Sequence, residues 1–90
     1  MYRLTSEDKQ LLNNLFKLKD LNEAEGYKKD LIEHMVNTQE EFDSDVLNQI
    51  RNYVMDKNLE YGFDDDEPNE LGCATEELAD RLYDVLEADN

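Results

Sequence analysis

This chain has very little of what disulfide-built, zinc-built or membrane proteins require. Its 90 residues include one cysteine, Cys73, one histidine, His34, one proline, Pro68, and no tryptophan. A lone cysteine closes no internal disulfide, which fits a reducing compartment or an unpaired buried thiol. One Cys and one His do not supply a structural zinc site. No run nears the roughly 18 apolar residues of a membrane span, and Met1 to Glu7 lacks the apolar core of a signal peptide, so a cytoplasmic location is expected. Three scattered glycines, Gly26, Gly62 and Gly72, match neither Walker nor dinucleotide spacing. Basic residues are also scarce. Nine Lys and Arg stand against 24 Asp and Glu, a net charge of −15 that repels nucleic acid and anionic lipid. Direct nucleic-acid binding and a membrane-surface role are therefore not expected.

What remains is enough for one small core. Apolar residues make up 39% of the chain, too many for a disordered acidic polymer, and 90 residues leave no room for a second core. The spacing predicts an all-α single domain, a small four-helix bundle spanning residues 1–90. Thr5 with Asp8 three residues on is a cap signal, and Leu11, Leu12, Leu15, Phe16 and Leu18 then recur at helical spacing, predicting a helix over 5–19. Asn22 with Glu25 repeats the cap, and Ala24, Tyr27, Leu31 and Met35 line a helix over 22–37, with Gly26 weakening its first turn. Thr38 with Glu41 precedes Phe42, Val46, Ile50, Tyr53 and Val54, a buried stripe over 40–58. Periodicity then fails. Gly62, the run from Asp64 to Glu67, Pro68, Asn69 and Gly72 predict a long acidic loop over 59–74. Thr75 is expected to cap a last helix over 75–87, with Glu76 and Glu77 in its first turn and Leu78, Leu82, Val85 and Leu86 inward. No alternating β-branched run supports a sheet, and there is no internal repeat.

The charge is unevenly placed. Residues 1–55 hold eleven acids and seven bases, net −4, whereas residues 56–90 hold thirteen acids and two bases, net −11. Between Lys57 and Arg81 stand Glu60, Asp64, Asp65, Asp66, Glu67, Glu70, Glu76, Glu77 and Asp80, with no base. Such a one-sign surface steers a basic partner toward it, while affinity comes from a few desolvated aromatic anchors. Tyr61 and Phe63 lie inside the acidic stretch and are the candidate anchors; the alternative for both rings is burial under the loop. The partner-binding set read from the sequence is thus Tyr61, Phe63, Asp64, Asp65, Asp66, Glu67, Glu70, Glu76, Glu77 and Asp80.

Catalytic and metal chemistry find little support in the residues. Asp56, Asn58, Glu60, Asp64 and Glu67 fall at positions 1, 3, 5, 9 and 12 of an EF-hand frame, but position 6 is Tyr61 where the sharp turn needs glycine, Gly62 comes one place late, and Pro68 follows at once. His34 has no Ser, Cys or second His at triad spacing, and Cys73 sits in an acidic neighbourhood that opposes its thiolate. No enzyme, no metal and no cofactor is expected.

By Tyr61-Gly62-Phe63-Asp64-Asp65-Asp66-Glu67-Pro68-Asn69-Glu70-Leu71-Gly72, followed by Glu76-Glu77-Leu78-Ala79-Asp80-Arg81-Leu82, the chain resembles small acidic immunity proteins of bacterial toxin systems, the contact-dependent inhibition and colicin-like antidotes. The likeness covers about the last third of the chain. It implies a helical, non-catalytic inhibitor that covers the active or substrate-binding surface of a cognate, basic, nucleic-acid-cleaving toxin, and carries over only the acidic loop and its aromatics. Two other readings compete. A phage or plasmid nucleic-acid mimic, of the anti-restriction or anti-CRISPR kind, needs its carboxylates spread over a whole face rather than gathered at one loop. A transcription or signalling adaptor needs an exposed apolar groove, for which Ile32, Leu47 and Met55 lie off the main stripes.

Overall fold

Four helices and one two-residue-per-strand hairpin make up the fold in the computed structural model, which describes residues 2–18 and 29–88. The elements run α1 (Ser6–Phe16), α2 (Lys29–Thr38), α3 (Ser44–Tyr61), β1 (Phe63–Asp64), β2 (Glu67–Pro68) and α4 (Glu70–Ala88). The helical class and the order of the four helices agree with the sequence reading; the hairpin corrects its all-α form.

Thr5 opens α1 with the expected capping box: its hydroxyl accepts from the Asp8 N–H at 3.0 Å, and the Asp8 carboxylate accepts from the Thr5 N–H at 3.2 Å. Asp8, nearly fully buried, also accepts both guanidinium arms of Arg81 from α4, at 2.8 and 3.3 Å. One carboxylate therefore starts α1 and fastens it to α4. The hydrogen bond to Asp8 outweighs the opposing effect of burial and raises the Arg81 pKa above its ordinary value.

The predicted cap at Asn22 and Glu25, and with it Ala24, Gly26 and Tyr27, lies outside the described residues. Within α2 the buried face is not the predicted one: Ile32 and Val36 are fully buried, whereas Leu31 is exposed and Met35 only partly covered. Two apolar i, i+4 pairs compete for the inward direction on this helix, and the β-branched pair takes it. Thr38 does not cap the third helix. It ends α2, its hydroxyl donating to the His34 carbonyl at 2.7 Å, and Asp43 caps α3 by accepting from the Val46 N–H at 2.9 Å. Phe42 explains the delay, because it pairs as an isolated antiparallel bridge with Tyr2 through two backbone bonds of 2.9 and 3.0 Å. An extended Phe42 cannot also be helical.

The core gathers Leu12, Leu15 and Phe16 of α1, Ile32 and Val36 of α2, Leu47, Ile50, Tyr53 and Val54 of α3, and Leu78, Ala79 and Leu82 of α4. Tyr53 satisfies its hydroxyl inside this core by donating to the Leu15 carbonyl at 3.1 Å. Ile32 and Leu47, the first two residues of the adaptor reading's groove, are core; of that trio only Met55 is exposed.

Candidate functional site

The acidic stretch is shorter and more ordered than the predicted 59–74 loop. Residues 59–61 extend α3, and α4 begins at Glu70 rather than at residue 75. Asn69 is the physical reason for the early start: its side-chain oxygen accepts from the Gly72 N–H at 2.8 Å, the bond an N-cap supplies. Thr75 lies inside α4 instead, fully buried, donating to the Leu71 carbonyl at 2.8 Å and accepting from the Asn58 amide at 2.9 Å.

The ends of α3 and α4 meet backbone to backbone. A Cβ on Gly72 would stand 2.1 Å from the Gly62 carbonyl oxygen, so neither glycine tolerates a side chain without separating the helices. Asn58 donates to the Gly72 carbonyl at 3.0 Å, Asn69 donates its amide to the Tyr61 carbonyl at 2.9 Å, and the Asn69 N–H bonds Gly62 at 2.9 Å. This neck leaves only residues 63–68 to project as the antiparallel hairpin, with Asp64 opposite Glu67. Asp65 and Asp66 form its two-residue turn with φ of 50° and 69°. Two consecutive left-handed residues are the mark of a type I′ turn, where Asn-Gly is the cheaper choice. This chain keeps two carboxylates there.

Asp64, Asp65, Asp66 and Glu67 are exposed on the hairpin, and Glu70, Glu76, Glu77 and Asp80 are exposed on α4. The 19-residue helix prolongs the acidic surface beyond what the sequence reading included, since Asp84 and Glu87 share the outward face with Glu70, Glu77 and Asp80 at steps of seven, three, four and three residues. The phase of Leu78 and Leu82 contained that signal. Lys57, the one cation between Arg51 and Arg81, offers no surface compensation. It is fully buried, bonded to Glu60 at 2.9 Å and facing the rings of Tyr53 and Tyr61 at 5.5 and 5.7 Å. Of the two predicted anchors, Tyr61 is therefore half-buried at the end of α3 against Lys57, while Phe63 on β1 is 46% exposed. Three further apolar side chains stand out to solvent nearby in the α3–α4 pair: Met55 at 40%, Leu59 at 72% and Tyr83 at 47%. Leu59 escaped the sequence reading because the third helix was expected to stop at residue 58.

The EF-hand frame does not form a cation loop. Asp56, Asn58 and Glu60 lie within continuous α3, and the last two are committed to Gly72 and Thr75 and to Lys57. Among the described residues no group of three or more His, Cys, Asp or Glu is placed to hold a metal ion. His34 on α2 and Cys73 on α4 are both exposed, on different helices. No described helix is long and apolar enough to cross a membrane. No protein-family model, no curated protein and no solved structure matches this chain.

Proposed function

We propose that this protein is a non-catalytic inhibitor of the immunity type, which binds a basic, nucleic-acid-cleaving protein through the acidic hairpin and the adjoining face of α4. The observation that carries this reading is the turn at Asp65 and Asp66. Both hold positive φ, a backbone state that disfavours any residue with a Cβ, at the exposed tip of a hairpin that glycine would close with less strain. Strain at an exposed, charged tip is accounted for when those charges meet a partner. Burial of Lys57 supports the same reading, since it leaves the field of the surrounding carboxylates uncompensated and able to steer a cationic surface.

The nucleic-acid mimic is favoured by a different observation, the acid-lined face of α4. From Glu70 to Glu87 the outward carboxylates extend over a rise of about 26 Å, the scale of several nucleotides of duplex.

Capture on the immobilised protein tests both. At low salt the wild type should retain one basic protein, release it at about 0.5 M salt where screening is short-ranged, and inhibit its nucleic-acid-directed activity. A D64N/D65N/D66N/E67Q variant should lose retention and inhibition together if the hairpin is the plug. An E77Q/D80N/D84N/E87Q variant should lose as much or more if the α4 face is the mimic. Equal retention by wild type and both variants would reduce the acids to a solvated surface.

A further inference from the structure

The exposed apolar residues of α3 and α4 form a line rather than a scatter. The two helices run antiparallel, pinned by the Gly62–Gly72 contact, by Asn58 to Thr75 at 2.9 Å, and by the Arg51 guanidinium 5.1 Å over the Tyr83 ring. This register sets Leu59 level with Thr75 and Met55 level with Ala79. Arg51 precedes Met55 by four residues, and Tyr83 follows Asp80 by three and Glu76 by seven, so all of these flank the same outer side of the helix pair. Met55 and Leu59 are themselves one turn apart on α3.

We infer that this outer groove between α3 and α4 is a docking site for a basic amphipathic helix of a partner protein, seated on Met55, Leu59 and Tyr83. The inference rests on the reading above that the partner is basic, and adds which segment of it is held and where. Isolated exposed leucines are ordinary, but three large apolar side chains along one groove of a chain carrying −15 are an interaction surface. Their chemistry suits a helix: a flexible methionine, a leucine one turn on, and a tyrosine whose ring is already held in place by Arg51.

Charge selects the occupant. Glu76 and Asp80 border the apolar line on the α4 side and Asp56 borders it on the α3 side, three carboxylates against the one guanidinium of Arg51, which stays charged over Tyr83, while Lys57 is buried. An apolar ridge with Lys or Arg along both margins complements that arrangement. A second copy of this chain would set the same acids against each other, and an extended strand would find, among the described residues, only two-residue strands to pair with.

The test titrates isotope-labelled full-length protein, at about 0.15 M salt, with a synthetic helix carrying leucine on one face and lysine on the other. A scrambled peptide of identical composition, which has no apolar face, is the control. Amide shifts centred on Met55, Leu59, Glu76, Asp80 and Tyr83, with the scrambled peptide binding about tenfold more weakly, are expected. Equal binding of the two peptides, or shifts centred on residues 63–68, would overturn the docking site. So would shifts of the groove residues that follow protein concentration without peptide, which would give the surface to self-association.

The partner captured above separates this inference from the reading it rests on. An M55S/L59S variant, altered only at exposed positions and checked for unchanged melting, should lose that partner about tenfold, and Leu59→Met should retain it. Retention by M55S/L59S with loss on neutralising the hairpin would remove the groove and leave the acidic inhibitor. The reverse pattern would keep the groove and remove the acidic hairpin as the binding element.

Discussion

Gly72 and Gly62 show how a single missing Cβ decides the geometry around the site. Each presents its backbone to the other at a distance no side chain permits, and both are buried. Gly72→Ala should destabilise the protein by at least ~2 kcal/mol, the range of a forced overpacking, read as a lower urea midpoint with unchanged slope. Gly62→Ala should cost at least as much, because its Cβ would stand 2.4 Å from the Asn58 carbonyl oxygen of its own helix, a clash that separating the helices leaves in place; only the shared clash between the two glycines makes the double variant cost less than the sum. Asp8 and Arg81 act at the same scale. Since the hydrogen bond to Asp8 raises the Arg81 pKa above its ordinary, strongly alkaline value, its stabilising pairing is fully present below that ordinary value and is lost only at extreme alkaline pH. This pair therefore contributes no pH dependence from the arginine side near neutrality.

At the scale of elements, the hairpin sets stability against binding. Replacing its turn by the residues a type I′ geometry prefers, D65N/D66G, should stabilise by ~1 kcal/mol, seen as a rise of about 4–8 °C in melting temperature. The same change should weaken retention of the basic partner. A variant that gains stability and binds unchanged would show that the strained aspartates do not serve binding. Much of the element structure was legible in the sequence, and the reasons it was not elsewhere are local. Thr5 and Asp8 announced α1 because a capping box is a contact between near neighbours. The start of α4 was misplaced by five residues because Gly72 and Asn69 read as loop formers, and only the approach of α3 turns one into a packing contact and the other into a cap. The hairpin was illegible for a similar reason: strands of two residues carry no alternation, and the neck that holds them is tertiary. The inward face of α2 was ambiguous between two equivalent apolar pairs, which only the position of α1 and α3 resolves. Of the candidate site, the acids of the hairpin and of early α4 are readable as a charge run, and Tyr83, Asp84 and Glu87 follow from the phase of Leu78 and Leu82 within the predicted helix, whereas the exposure of Leu59 depends on where α3 ends.

For the whole molecule, the charge of −15 acts in opposite senses on folding and on binding. Self-repulsion disfavours the compact state, and attraction to a cationic partner favours the complex. Raising sodium chloride from about 10 mM to about 0.5 M, which shortens the screening length from tens of ångström to a few, should therefore raise the melting temperature and lower partner affinity in the same series. A melting temperature that falls with salt would mean that the ion pairs of Asp8 with Arg81 and Lys57 with Glu60 outweigh the net repulsion.

The side-chain hydrogen bonds that join α1 to α2 and α3 to α4 are carried by carboxamides. Asn13 and Asn37 exchange two amide bonds of 3.0 and 3.1 Å to join α1 to α2, and Asn58 and Asn69 close α3 onto α4. Carboxamides neither gain nor lose protons in water, so in a chain with 24 titratable carboxylates these joints are indifferent to acidity. A change of pH accordingly alters the charge of the outer surface without touching the bonds that hold α1 to α2 and α3 to α4.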